Sequence, residues 1–176
     1  MRIRRWLYPG ILLTATILLL VDLGIPQNEK TAKVDSGLSW VKYDKGLVLA
    51  AKENKPILID FYTNWCGWCK KMDRETFSND SVAQYLNDRF ITVRVNAESN
   101  EMLATGNGSL SEKDLSRSFG VRGYPTYWFL KSNGEKINNI SGYSPPDRFI
   151  TVLKYIGDSH YQTKTWQEYL KSLESN

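Results

Sequence analysis

The sequence predicts an α/β fold: a central mixed sheet flanked by helices on both faces, with an extra helix at the C-terminus. Three observations carry this. Short runs of β-branched and aromatic residues alternate with segments of helical periodicity, an order that requires strands to be connected by helical crossovers. Two of the runs, Tyr127 to Leu130 and Glu135 to Ile140, are joined by Lys131-Ser132-Asn133-Gly134, a turn of the Asn-Gly kind, so an antiparallel hairpin completes a sheet otherwise built through crossovers. The apolar run Ile57-Leu58-Ile59-Asp60-Phe61-Tyr62 leads directly into Trp65-Cys66-Gly67-Trp68-Cys69-Lys70, which reads as strand, tight turn and helix start.

Along the chain, residues 1–26 form a targeting or anchoring segment. Arg2, Arg4 and Arg5 precede an apolar core from Ile11 to Val21, the pattern of an export signal. Asp22-Leu23-Gly24 offers no small-residue cleavage pattern, and the apolar stretch over residues 7–25 approaches the roughly 20 residues that span a bilayer. The segment therefore reads as an uncleaved membrane anchor or as a cleaved signal peptide, and either exports the remainder. A polar linker over 27–38 leads to one domain, 39–176.

Within that domain Leu47, Ala50 and Ala51 make one face of a helix that ends before Pro56. After the cysteines, Cys69, Met72, Thr76 and Phe77 repeat at helical spacing and should pack inward. Ser81 to Gln84 forms a capping box for a helix burying Val82, Tyr85 and Leu86, and Phe90 to Val95 alternates as a strand. Asn96 to Gly108 is expected to be a loop, followed by a helix capped by Ser109 with Glu112 in the capping-box position and ending at Gly120. Beyond the hairpin, Ser144 should cap a helix with Pro145 and Pro146 in its first turn and Phe149, Val152, Leu153 and Ile156 as its apolar stripe. A last helix opens with a Thr165 and Glu168 capping box and should dock through Trp166, Tyr169, Leu170 and Leu173.

Composition narrows the function. Hydrophobic residues at 41% and charged residues at 24% describe a globular chain. The net charge is +4, of which the first 26 residues carry +2, so the domain has too little positive charge for a nucleic-acid footprint. The two cysteines, three apart, are the informative feature. A helix beginning near Cys66 turns unpaired backbone N–H groups and the positive end of its dipole towards the thiol, which favours thiolate, the nucleophile of disulfide exchange. Cys69, one turn on, can then attack the mixed disulfide. A purely structural disulfide across so short a loop removes little chain entropy. Zinc needs about four Cys or His ligands, and the sole histidine, His160, has no motif partner. A cysteine protease fails for want of a motif histidine, and a Cu(I) carrier finds no supporting His or Met cluster.

Two further features matter. Asp60 interrupts an apolar strand: either it is a surface residue at a strand end, or it is buried, where an isolated charge is costly and its pKa should be raised. Val121-Arg122-Gly123-Tyr124-Pro125-Thr126 supplies a proline immediately before a strand. Together with the Trp-Cys-Gly-Trp-Cys-Lys run, this segment resembles the thioredoxin superfamily over about Pro56 to Ile156. The resemblance implies a thioredoxin fold in which the Tyr124–Pro125 bond is cis and faces Cys66, and in which Asp60 assists proton transfer at Cys69. It also implies a substrate surface formed by Trp65, Gly67, Trp68, Tyr124 and Pro125. The continuation Lys71 to Phe77 and the longer loop near Asn107 are similar to the exported group that includes the C-terminal domain of the bacterial membrane thiol:disulfide interchange reductase.

The activity so implied is thiol-disulfide oxidoreductase, as reductase or isomerase in preference to oxidase, with no cofactor and no metal. Its partners are protein disulfide substrates and a membrane or soluble electron-donor thiol protein, in a periplasmic or other extracytoplasmic setting. The alternative is a non-catalytic peptide-binding module or chaperone on the same fold.

Overall fold

A computed structural model describes residues 37–105 and 108–175. The expected signal or anchor at 1–26, and the expected linker as far as residue 36, lie outside the described residues. From Leu38 onward the chain is packed, with Leu38 and Trp40 each only 2% exposed.

Among the described residues the elements run α1 (Tyr43–Glu53), β1 (Ile57–Tyr62), α2 (Gly67–Met72), a π-helical turn (Asp73–Phe77), α3 (Asp80–Arg89), β2 (Ile91–Asn96), β3 (Met102–Thr105), β4 (Gly108–Ser111), α4 (Glu112–Ser118), β5 (Thr126–Leu130), β6 (Lys136–Ser141), α5 (Pro146–Gly157), a 3₁₀ turn (His160–Gln162) and α6 (Trp166–Glu174). The main sheet has the order β2-β1-β5-β6. β1 and β2 are parallel, whereas β5 runs antiparallel to both β1 and β6. This is the mixed sheet that the order of elements predicts.

Side-chain alternation divides the interior into two cores. Ile57, Ile59 and Phe61 join Ile91, Val93 and Val95 beneath Ala50, Leu115 and Phe119. On the opposite face Leu58, Tyr127 and Phe129 pack with Met72, Phe77, Leu86, Phe149 and Leu153. The second face carries the helix that follows the cysteines, and Met72, Thr76 and Phe77 are fully buried there as their spacing predicts. One sheet edge is closed where Val41 N donates to Thr92 O and Val41 O accepts from Arg94 N. β6 forms the other edge.

Several local expectations are corrected. In α1 the buried face is Gly46 and Ala50, while Ala51 is exposed. Gly46 faces Val93 so closely that a Cβ there would overlap the valine side chain, a constraint between elements with no local signature. The cap of α3 is Asn79, whose side chain accepts from Val82 N at 3.2 Å; Ser81 already lies in the first turn. The segment read as a loop contains the hairpin β3–β4, anchored by Leu103 at 2% exposure. Its four-residue strands are too short to show a period. Ser109 therefore lies in β4, and Ser111 caps α4 by accepting from Asp114 N at 3.1 Å. Glu112 is not the capping-box acid but a buried residue that accepts from Lys42 Nζ at 3.0 Å.

Pro145, not Ser144, is the N-cap of α5. Ser144 instead ties this junction to the cysteine-bearing helix: its N donates to Met72 Sδ at 3.3 Å and its O accepts from Thr76 Oγ1 at 2.7 Å. The Thr165–Glu168 capping box of α6 forms as the spacing predicts. The docking stripe is shorter than predicted, because only Trp166 and Tyr169 pack inward, while Leu170 and Leu173 are exposed. Tyr169 stacks on His160 at 4.8 Å, which accounts for the single histidine as a packing residue.

Candidate active site

Cys66 stands at the N-cap of α2 and is disulfide-bonded to Cys69. Both are 3% exposed, and Cys69 N donates to Cys66 Sγ at 3.0 Å. A helix start forms here because Thr63 to Cys66 closes a turn, Cys66 N donating to Thr63 O, and Lys70 N then donates to Cys66 O. The sulfur of Cys66 thus takes the place of the oxygen that usually caps a helix, and the same N–H would hold a thiolate.

Around this sheltered pair the two tryptophans are open, Trp65 at 65% and Trp68 at 57% exposure. Trp65 is held edge-on to Tyr124 at 6.0 Å and donates through Nε1 to Glu98 Oε1 at 2.8 Å. Trp68 leans on Tyr143 at 5.9 Å, and the Lys71 ammonium lies over both rings, 5.4 Å from Trp68 and 4.4 Å from Tyr143. Tyr143 in turn donates to Glu75 Oε2 at 2.7 Å, and that bond leads the effects that hold the Glu75 carboxyl below its ordinary range. Gly67 has open space where a side chain would project, leaving the backbone between the cysteines approachable.

The Tyr124–Pro125 peptide bond is cis. Pro125 is buried, and its carbonyl accepts from Gly142 N at 2.8 Å, which fixes the segment to the chain after β6. The edge-on contact between Trp65 and Tyr124 brings this segment up against the cysteine turn.

A charged cluster joins β1, β2 and the turn that follows the cysteine-bearing helix, and sequence reasoning caught it only in part. Asp60, 1% exposed, accepts from Arg94 Nε at 3.0 Å through Oδ2, while Oδ1 has no partner among the described residues. Arg94 Nη2 also donates to Asp73 Oδ1 at 2.6 Å, one turn after Cys69. The guanidinium is sandwiched between the rings of Trp40 at 5.0 Å and Tyr62 at 4.6 Å. Burial pushes the Asp60 carboxyl up from 3.8 to about 6; the Arg94 charge pulls it back and the Asp73 charge adds to the rise. Burial likewise raises Asp73 against the pull of Arg94. Two carboxylates thus share one buried cation, and the Asp60 carboxyl is pushed up to about 6.

Arg94, Asp73, Tyr143 and Glu98 were missed as site residues. Arg94 had only a weak signal: it holds a polar position in the alternation of Ile91, Val93 and Val95, and only the parallel pairing of β1 with β2 sets it opposite Asp60. Glu98 and Tyr143 had none.

Residues 43–157 match the model of the Thioredoxin-like domain. The chain belongs to the thioredoxin-like family. It is 29% identical over 120 residues to the thiol:disulfide interchange protein DsbD of Photorhabdus laumondii, an alignment that covers 67% of this chain and 19% of that one. The chain thus spans about a fifth of the length of that curated relative. A thioredoxin from Thermus thermophilus is 25% identical with a TM-score of 0.57, covering 68% of this chain and 87% of that one. A thioredoxin-fold protein from Helicobacter pylori, at 22% identity, superposes with a TM-score of 0.62 over 82% of this chain and 92% of its own, and confirms the fold. Its Cys66–Cys69 pair at the helix mouth gives this member of the family the dithiol arrangement on which disulfide exchange can run.

Proposed function

We propose that the protein is an exported thiol-disulfide oxidoreductase acting as a reductase or isomerase of protein disulfides. The observation that carries the reading is the closed, buried Cys66–Cys69 pair flanked by two exposed tryptophans, one of which packs on the tyrosine of the cis Tyr124–Pro125 bond. The rim suits a polypeptide client, because exposed aromatic side chains bind extended chain through apolar contact at little cost in ordering. Similarity to a thiol:disulfide interchange protein supports disulfide exchange, and the basic-then-apolar N-terminal sequence supports export.

In the reduced protein the Cys66 thiolate, held by Cys69 N–H, attacks one sulfur of a client disulfide lying along Tyr124 and Pro125. The client's other sulfur leaves as thiolate and takes a proton from solvent. Cys69 then loses its proton towards Asp60 and attacks Cys66 Sγ, which expels the second client thiolate and leaves the Cys66–Cys69 disulfide. Two electrons have passed to the client, and an electron-donor thiol protein must return them. Asp60 fits the part of proton acceptor: it is buried, its carboxyl is pushed up to about 6, and Oδ1 has no partner among the described residues.

A Cys69→Ala variant tests the reading. It should accumulate mixed disulfides with client proteins through Cys66, identifiable by mass spectrometry, and a Cys66→Ser variant should accumulate none. Redox titration fixes direction: a potential near the about −270 mV of strong dithiol reductants supports the reductase, whereas one near about −120 mV would make the protein an oxidant. Full client protection by Cys66→Ser would instead favour a chaperone.

A further inference from the structure

Between the open sheet edge at β6 and helix α5 lies a cleft of about 250 Å³ that the redox chemistry does not use. Ile140, Tyr143, Val152, Tyr155 and Trp166 give it mostly carbon walls, and Arg148 is its one charged lining residue. Arg148 is exposed and makes no ion pair among the described residues. The cleft is not remote from the dithiol, because Tyr143, one of its walls, is the ring on which Trp68 leans at 5.9 Å.

We propose that this cleft is a client-docking subsite of the dithiol, taking a large apolar side chain of an extended client segment whose neighbouring acidic residue pairs with Arg148. The inference rests on the oxidoreductase reading above. Four features select this occupant. The volume is below the about 300–1,000 Å³ usual for small-molecule sites and suits a single side chain. β6 is an unclosed edge, so a client strand can add to it through backbone hydrogen bonds. Alternation along such a strand directs every second side chain to the face on which Ile140 lies, the face of the cleft. Arg148 supplies the positive charge at the cleft, because Lys71 over the Tyr143 ring is ion-paired with Glu75, and it selects an acidic neighbour.

Trp166 shows what α6 contributes. Its ring packs on Tyr155 at 5.2 Å, so the C-terminal helix supplies a wall of the cleft. A chain lacking α6 would keep the dithiol but lose this part of the pocket. The subsite therefore confers selectivity among clients without altering the exchange chemistry.

The test compares two disulfides on the reduced full chain. One is dipyridyl disulfide, small and uncharged; the other is a ten-residue peptide whose cysteine carries a pyridyl disulfide and which has a Phe-Glu pair several residues away. Replacing the peptide's Phe by Ala should lower its kcat/KM about tenfold or more relative to dipyridyl disulfide. Arg148→Glu should lower the ratio of peptide to small-disulfide rate about threefold with Phe-Glu and raise it with Phe-Lys, a reversal that a merely structural effect would not give. A redox-inert peptide, with serine for cysteine, titrated against the oxidised protein should show the same order of affinities. Normal reduction of dipyridyl disulfide with no dependence on the peptide's Phe or on the charge at position 148 overturns the subsite alone. Failure to reduce either disulfide overturns the reductase reading, and affinity of the inert peptide independent of Phe and Arg148 then overturns the subsite as well.

Discussion

Asp60→Asn should make the protein more stable and slower. The Asp60 carboxyl is 1% exposed and titrates at about 6 instead of 3.8, chiefly because burial penalises its charge. The folded state therefore keeps a proton that the unfolded chain releases near pH 4. The neutral acid's advantage is complete below about pH 4, is lost as pH rises through about 6, and the deficit is constant above that. At about 1.4 kcal/mol per pH unit the displacement amounts to about 3 kcal/mol. Asparagine reproduces the neutral acid: it has the same shape and an oxygen that can accept from Arg94 Nε, while Arg94 keeps Asp73 as its ionic partner. Guanidinium denaturation of the oxidised protein at three pH values measures this. Asp60→Asn should gain about 3 kcal/mol at pH 7.5, about half of that near pH 5, and close to nothing at pH 4. The same variant should resolve mixed disulfides slower by on the order of 100-fold in stopped-flow assays, because Cys69 has lost its base. A variant less stable than the parent at pH 7.5, or one whose gain is the same at every pH, would refute the reasoning.

Trp68→Ala should raise KM for a protein disulfide several-fold while moving the denaturation midpoint little, because the ring is 57% exposed. Gly46→Ala should cost about 1–3 kcal/mol in denaturant titration, since the new methyl overlaps Val93 and the strand cannot retreat. Phe149→Ala should cost about 3–5 kcal/mol by the same measurement, because its ring is fully buried against Phe77 at 5.6 Å and Tyr127 at 5.4 Å. Thr165→Ala should lower stability by about 1 kcal/mol through loss of the capping box, visible as a lower melting temperature.

What the sequence by itself determined was whatever depends on neighbours within a few residues. The cysteine spacing, the strand that precedes it, the Asn-Gly hairpin, the apolar stripe of α5 and the Thr165–Glu168 box are local patterns, and each has its expected counterpart in the fold. The cis Tyr124–Pro125 bond came instead from family resemblance, and the structure has it. The misplaced caps at Ser81 and Ser109 arose because several polar residues precede each helix and only packing decides which side chain meets the free N–H groups, whereas at Ser144 the helix starts at a proline with no side-chain cap. Tertiary structure alone decided what lies around Asp60 and beside the dithiol. Asp60 faces Arg94 because β1 and β2 pair in parallel at that register, a relation set by how the intervening helices pack and not by either strand's composition. Trp65 meets Tyr124, and Trp68 meets Tyr143, across chain separations that no periodicity encodes. A residue's backbone preference is a property of its near sequence, whereas the pKa of Asp60 and the shape of the client surface depend on which distant groups the packed core brings within a few ångströms.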